Sequence, residues 1–175
     1  MITLDQLRKI MPYAGPRAGV FFEPLTAAMA EFGIDTPLRQ AAFLAQVAHE
    51  SGSLRYVREI ADGSAYEGRA DLGNTEPGDG HRFKGRGLIQ ITGRANYRAA
   101  SLALFGDEML LIKHPQLLEE DVPACRSAAW FWWSRRLNTL ADTGQFRAIT
   151  RKINGGFNGY ADRLASWERA KVVLA

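Results

Sequence analysis

Residues 61–87 set the terms for any fold this chain can adopt. They carry seven glycines, at 63, 68, 73, 78, 80, 85 and 87, together with Pro77 and several Asp and Asn. Glycine at this density favours turns and close backbone approach over continuous helix. A stretch this long without regular structure, inside a compact chain, is usually functional or disordered. Aromatic and charged residues interrupt it throughout, which predicts a packed functional loop, preceded by a small hairpin near Leu54–Ile60.

On both sides of this segment the chain reads as helix. Thr3 and Gln6 form a capping-box pattern ahead of a short helix that stops near Pro12. Pro24 is read as opening a second helix, which ends at Phe32 with Gly33 in the stop position. Thr36 caps a third, with Pro37 in its first turn. Leu38, Ala41, Ala42, Ala45 and Ala48 recur there at helical spacing before Gly52 ends it. Helical signals resume after Thr92, read as a cap, and run to Phe105 with Gly106 behind it. Asp121 and Pro123 open a helix containing Trp130, Phe131, Trp132 and Trp133; these cannot all face one side, and they are expected to anchor the core between lobes. A short helix over 145–154 stops at Gly155-Gly156, and Asn158 is placed to cap the last one. No repeat, linker or low-complexity tail divides the chain. The reading is a mainly α fold, one catalytic domain over 1–175, in two lobes around the glycine-rich loop, with the hairpin lining a cleft.

Composition narrows the classes of function. The chain has 175 residues, 46% hydrophobic and 23% charged, ordinary for a soluble domain. It has no run of eighteen apolar residues, so no stable membrane insertion is expected. Met1-Ile2-Thr3-Leu4-Asp5-Gln6 lacks the basic start and apolar run of a secretory signal, so the expectation is a protein kept in the cytoplasm until something else releases it. Cys125, the only cysteine, is read as a small buried hydrophobe. His49, His81 and His114 lack ligand spacing, so no metal is expected. Gly78 and Gly80 do not continue into a dinucleotide fingerprint, because Phe83 stands where the third glycine belongs; with no phosphate-binding loop either, no cofactor is expected. A net charge of +3 and a pI near 9.2 suit an anionic polymer without requiring one. Arg82, Lys84, Arg86 and Arg94 cluster without a docking motif, which argues against nucleic acid, and a monomer is expected.

Glu50 stands in the last turn of the third helix, in Ala48-His49-Glu50-Ser51-Gly52. The negative end of the helix dipole disfavours a charged carboxylate there, and burial against Phe43 or Val47 acts in the same direction. A carboxyl group kept protonated suits a general acid for glycosidic cleavage; the plain alternative is a solvated helix-end glutamate. Such chemistry needs a second carboxylate. Glu59 and Glu67 both follow closely enough to fold back over a shared cleft, and either could instead form a surface ion pair, with Arg58 or Arg69. Glu67, beside Gly68, is expected to shape the loop or bind sugar. The run from Phe83 to Tyr97 places Gln90, Thr92, Asn96 and Tyr97 among glycines and apolar residues. Amides and hydroxyls among aromatics suit a sugar; the alternative is a glycine-hinged turn with Thr92 as an N-cap.

Together, Ala48-His49-Glu50-Ser51-Gly52, the stretch from Gly85 to Thr92 through Asn96-Tyr97, and Asn154-Gly155-Gly156 resemble family 19 glycoside hydrolases, which include chitinases and phage or prophage endolysins. The order spans roughly residues 36 to 170. The phrase Tyr66 to Asn74, leading to Pro77-Gly78-Asp79-Gly80, resembles the endolysin branch. The resemblance implies a lysozyme-like two-lobed fold and hydrolysis of a β-1,4 bond with inversion. It implies Glu50 as general acid, Glu59 by position as general base, and Thr92 as a holder of the attacking water. It also implies sugar contacts from Gln90, Asn96, Asn154 and Arg163. The disulfides of the plant members are missing and the loop between acid and base is short, which implies fewer sugar subsites and fits a reducing cytoplasm. The function implied is an endolysin acting on peptidoglycan after release, with a holin as one route. Chitin is the nearest alternative substrate. A non-catalytic wall-binding module is a third reading, and the joint presence of Glu50, Glu59 and Thr92 argues against it.

Overall fold

The structure, a computed structural model, describes residues Met1–Ala175. Ten helices follow in order: α1 (Leu4–Ile10), α2 (Arg17–Glu31), α3 (Pro37–Glu50), α4 (Asp79–Arg82), α5 (Arg94–Phe105), α6 (Leu110–Lys113), α7 (Asp121–Ser134), α8 (Leu137–Asp142), α9 (Phe146–Asn154) and α10 (Tyr160–Leu174). None is long and apolar enough to cross a membrane. The fold is mainly helical and lysozyme-like, as expected. The expected hairpin is reduced to isolated antiparallel bridges, Arg58 with Arg86 and Arg86 with Ile91.

Local capping sets several of the boundaries read from the sequence. Thr3 and Gln6 make the reciprocal capping box of α1. Thr36 Oγ1 accepts the Arg39 N–H at the start of α3. Two expected starts differ. Pro24 lies inside α2, which begins at Arg17. The hydrogen bond it cannot donate would reach Val20, which is 48% exposed, so the loss falls on a side open to water. Thr92 does not cap α5: its hydroxyl donates to the Gln90 carbonyl, while Asn74 Oδ1, from the distant glycine-rich loop, accepts the Arg94 N–H. Asn158 likewise yields its expected place before α10 to Gly159.

One cluster of 41 buried apolar residues forms the core. Every residue of α3 from Gln40 to Ala48 is buried, whereas Leu38, expected on the apolar face, lies outside at the helix start. Its alanines let α10 and α8 pack closely on it, and the two buried glutamines have partners: Gln40 donates to the Ile34 carbonyl and Gln46 to Thr150. α7 joins the two sides of the molecule, packing on α2 and α8 and also on α5. Its Trp132 is fully buried, edge-on to Phe43, with its indole N–H donating to Asn138; Trp133 points outward. Cys125 is fully buried on the same helix, and burial pushes its thiol up, far from thiolate character.

The glycine-rich segment is ordered by polar groups more than by an apolar core of its own. Glu67 accepts the N–H groups of Gly78 and Gly80, one on each carboxylate oxygen. Asp79, almost fully buried, forms a two-pronged pair with Arg94.

Candidate active site

The site begins where α3 ends. Gly52, Ser53 and Leu54 take positive φ in succession (55°, 60° and 66°), a conformation that costs non-glycine residues and that surrounding structure must enforce. Two features enforce it here: the buried Leu54 side chain, and Ser51, whose hydroxyl donates to Val47 and accepts the Leu54 N–H. This reversal sends residues 56–60 back past the end of the helix. There they run beside Gly85–Gly87, with the Glu59 N–H on the Gly85 carbonyl and the Gly87 N–H on the Val57 carbonyl.

Glu50 and Glu59 thereby line one cavity of about 350 Å³, together with Tyr56, Arg58, Ile60, Ala61 and Gln90. Their settings differ. Glu50 Oε1 lies 2.6 Å from Arg163 Nη2, a guanidinium only 1% exposed. Arg163 also donates to Gln46 Oε1 and to the Asn158 carbonyl, so α3 and α10 are locked together directly behind the acid candidate. The expected purely dipolar and apolar setting of Glu50 is therefore modified by a buried cation. Glu59 accepts the Gly85 N–H on Oε1 (2.9 Å) and the Tyr66 hydroxyl on Oε2 (3.0 Å). Burial, with Glu59 beside it, pushes the Tyr66 hydroxyl up, so it remains a donor at neutral pH. Gly85 is required by space: a Cβ there would stand 2.9 Å from Gln90 Oε1 and 3.3 Å from Glu59 Oε2.

Three of the amides named from the sequence share a pattern. Gln90 donates to the Gly87 carbonyl, Asn96 donates to the Thr92 carbonyl, and Asn154 accepts the Asn158 N–H. Each is half-buried, with one end held by backbone and the other left for a ligand. Thr92 is half-buried beside them and is not part of the cavity lining around the two carboxylates.

Three expectations are corrected. Tyr97 is not a sugar contact: it is fully buried, with its hydroxyl donating to the Lys84 carbonyl and accepting from Arg86. Arg163 is too deeply buried to touch sugar and acts through Glu50. Glu67 has both oxygens occupied by backbone amides, so of its two expected roles it takes the shaping of the loop. Sequence reading missed Gln46, Tyr66 and the pair of His49 Nδ1 with Asp162 (2.6 Å). A signal existed for Gln46, four residues before Glu50 and hence on the same helix face.

Two carboxylates in different settings, facing one cavity on a helical scaffold amid half-committed amides, define a hydrolytic site of the glycosidase class. Comparison with known proteins agrees. The chain is 30% identical to a glycosyl hydrolase family 19 domain-containing protein of Haemophilus influenzae, over 93% of this chain and 92% of that one. It is 42% identical to an endochitinase of Arabidopsis thaliana over 66% of this chain, which spans only 38% of that plant protein's length. Its fold matches chitinase C from Streptomyces griseus with a TM-score of 0.80, covering 99% of this chain and 92% of that one, at 24% identity. No protein-family profile matches the chain. The chain belongs to glycosyl hydrolase family 19.

Proposed function

We propose that this chain is an endolysin-type glycosidase that hydrolyses β-1,4 bonds of bacterial peptidoglycan with inversion, using Glu50 as general acid and Glu59 as general base. The observation that carries the reading is that both carboxylates line one cavity while each is held by different partners. Arg163 engages Glu50 Oε1, which leaves Oε2 to hand its proton to the departing glycosidic oxygen. Glu59, oriented by the Gly85 N–H and the Tyr66 hydroxyl, takes a proton from a water. The hydroxide so generated bonds to the anomeric carbon from the opposite face as the C–O bond breaks. Gln90, Asn96 and Asn154 present their free amide ends to sugar acetamido and hydroxyl groups. Thr92 helps to hold the water.

Synthesis in the cytoplasm and action on the wall after release, by a holin or another route, accompany this reading; the single cysteine supports a reducing compartment. Hydrolysis of chitin is the second reading, and the similarity to a plant endochitinase favours it. A zymogram of purified peptidoglycan beside colloidal chitin, with mass analysis of the fragments, separates the two. Clearing of peptidoglycan with glycan-chain scission is expected, and clearing of chitin alone would replace the first reading by the second. Proton NMR of the first product should show the α-anomer; early β-anomer would refute inversion.

A further inference from the structure

Away from the two carboxylates, α9 presents an unusual distribution of charge. Arg147 and Arg151 are exposed, and neither forms an ion pair, whereas Arg39, Arg94, Arg98, Arg126 and Arg163 all do. Their placement is unfavourable to the isolated protein on two counts. Like charges four residues apart on a helix repel, and Arg147 sits in the first turn, where the helix dipole disfavours a cation. No acidic residue occurs between Asp142 and Asp162 to relieve them.

The two guanidiniums line one open pocket of about 400 Å³ with Gln145, Ala148 and Phe157. Phe157 is 41% exposed, and the Arg147 guanidinium lies over its ring at 4.5 Å, which holds that cation in place before any ligand arrives. Positions 147, 151 and 154 follow the i, i+4, i+7 pattern, so both arginines share a face of α9 with Asn154. At about 1.5 Å per residue that stripe is roughly 10 Å long. It is also tied to the acid candidate, since Gly159, two residues beyond Phe157, packs against the ring of His49 beside Glu50.

We infer that Arg147 and Arg151 form an anion subsite, continuous with Asn154, that takes the free carboxylates of the peptide carried by wall glycan. This rests on the peptidoglycan reading above, because chitin carries no such acid. Paired guanidiniums above an aromatic ring suit a planar carboxylate at the end of a sugar-linked peptide, with Gln145 available to the adjoining amide.

The test separates binding from cleavage. An N-acetylmuramoyl peptide has a single sugar and no glycosidic bond to hydrolyse, so its affinity for the unmodified protein is measurable by NMR titration. Its acid form should bind roughly tenfold or more tighter than its carboxamide form, and added salt should narrow the gap. Arg147→Gln combined with Arg151→Gln should abolish that preference without lowering the melting temperature, as both side chains are exposed and unpaired. The double variant should also raise KM on peptide-bearing peptidoglycan while leaving cleavage of chitooligosaccharide, or of glycan stripped of peptide by an amidase, within about twofold. Equal binding of acid and carboxamide, or a preference kept by the double variant, overturns the subsite. A protein that prefers the acid fragment yet cleaves only chitin keeps the subsite and loses the peptidoglycan reading instead.

Discussion

Glu50→Gln tests chemistry and architecture at once. Glu50 is both the acid candidate and the only carboxylate paired with Arg163, a guanidinium that is 1% exposed. Removing one partner of a buried ion pair costs about 3–5 kcal/mol, because the remaining charge stays buried. Two features place this substitution at the lower end. The Glu50 side chain is 17% exposed, so water screens part of the pair, and glutamine keeps an oxygen that can accept from Arg163. Gln46 Oε1 and the Asn158 carbonyl also still accept from the guanidinium. A loss of about 3 kcal/mol follows, and for a chain of this size each kcal/mol lowers Tm by about 2–4 °C, or roughly 6–12 °C in all. The amide cannot donate the required proton, so turnover on wall substrate should fall about 100- to 10,000-fold at a temperature where the variant is folded. Arg163→Met supplies the control. It should destabilise the native protein more than it destabilises Glu50→Gln, since the second background has already lost the charge pairing. Thermal melts by circular dichroism and a turbidity assay of wall lysis provide both readouts. If Glu50→Gln melts with the native protein and Arg163→Met costs the same in both backgrounds, the pair does not couple α3 to α10. If the folded variant keeps more than about a tenth of native lysis, Glu50 is not the acid.

Glu59→Gln should lower kcat sharply with little change in KM, because the water is lost and the sugar contacts are not; Glu67→Gln should mainly lower Tm, as it weakens the hold on Gly78 and Gly80. A stable Glu67→Gln protein without turnover, beside an active Glu59→Gln, would reverse these roles. The Arg94 guanidinium holds the Asp79 carboxyl below the usual carboxylate range, so Asp79 adds stability above its unfolded pKa and loses it as pH falls through the lowered folded value. Urea melts from pH 7 downward should show a decline beginning near pH 4, and Asp79→Asn should lower stability at pH 7 while flattening that acid limb; an unaltered limb would contradict the assignment. Gly159→Ala adds a Cβ against the His49 ring at a residue with φ of +67°, so it should displace His49 from Asp162 and reduce both Tm and turnover. A variant with native Tm and native rate would show that this contact positions nothing.

Local rules identified the elements whose ends are built from neighbouring residues. Thr36 and Pro37 mark the start of α3 in sequence and in space, and Gly155 ends α9 where expected. The same rules failed wherever a partner arrives from far along the chain. Pro24 resembles a helix start, yet tertiary packing carries α2 through it. Thr92 resembles a cap, yet Asn74 supplies the oxygen. α6 and α8 went unseen because neither has a side-chain cap, and both are held by what they pack against.

The site divides along the same line. The sequence by itself determined which residue types were available for glycosidic chemistry, with Glu50 at a helix end, Glu59 shortly after it, and Gln90, Asn96 and Asn154 in family order. It could not decide how each is used, because a side chain's role depends on neighbours brought in by folding. Burial removed Tyr97 from the sugar face, two backbone N–H groups occupied both oxygens of Glu67, and α10 carried Arg163 across 113 positions to stand behind Glu50. Charge, polarity and helical period are properties of a residue and its near neighbours and can be read along the chain. Desolvation and the identity of a hydrogen-bond partner belong to the packed molecule, and only the tertiary structure decides them.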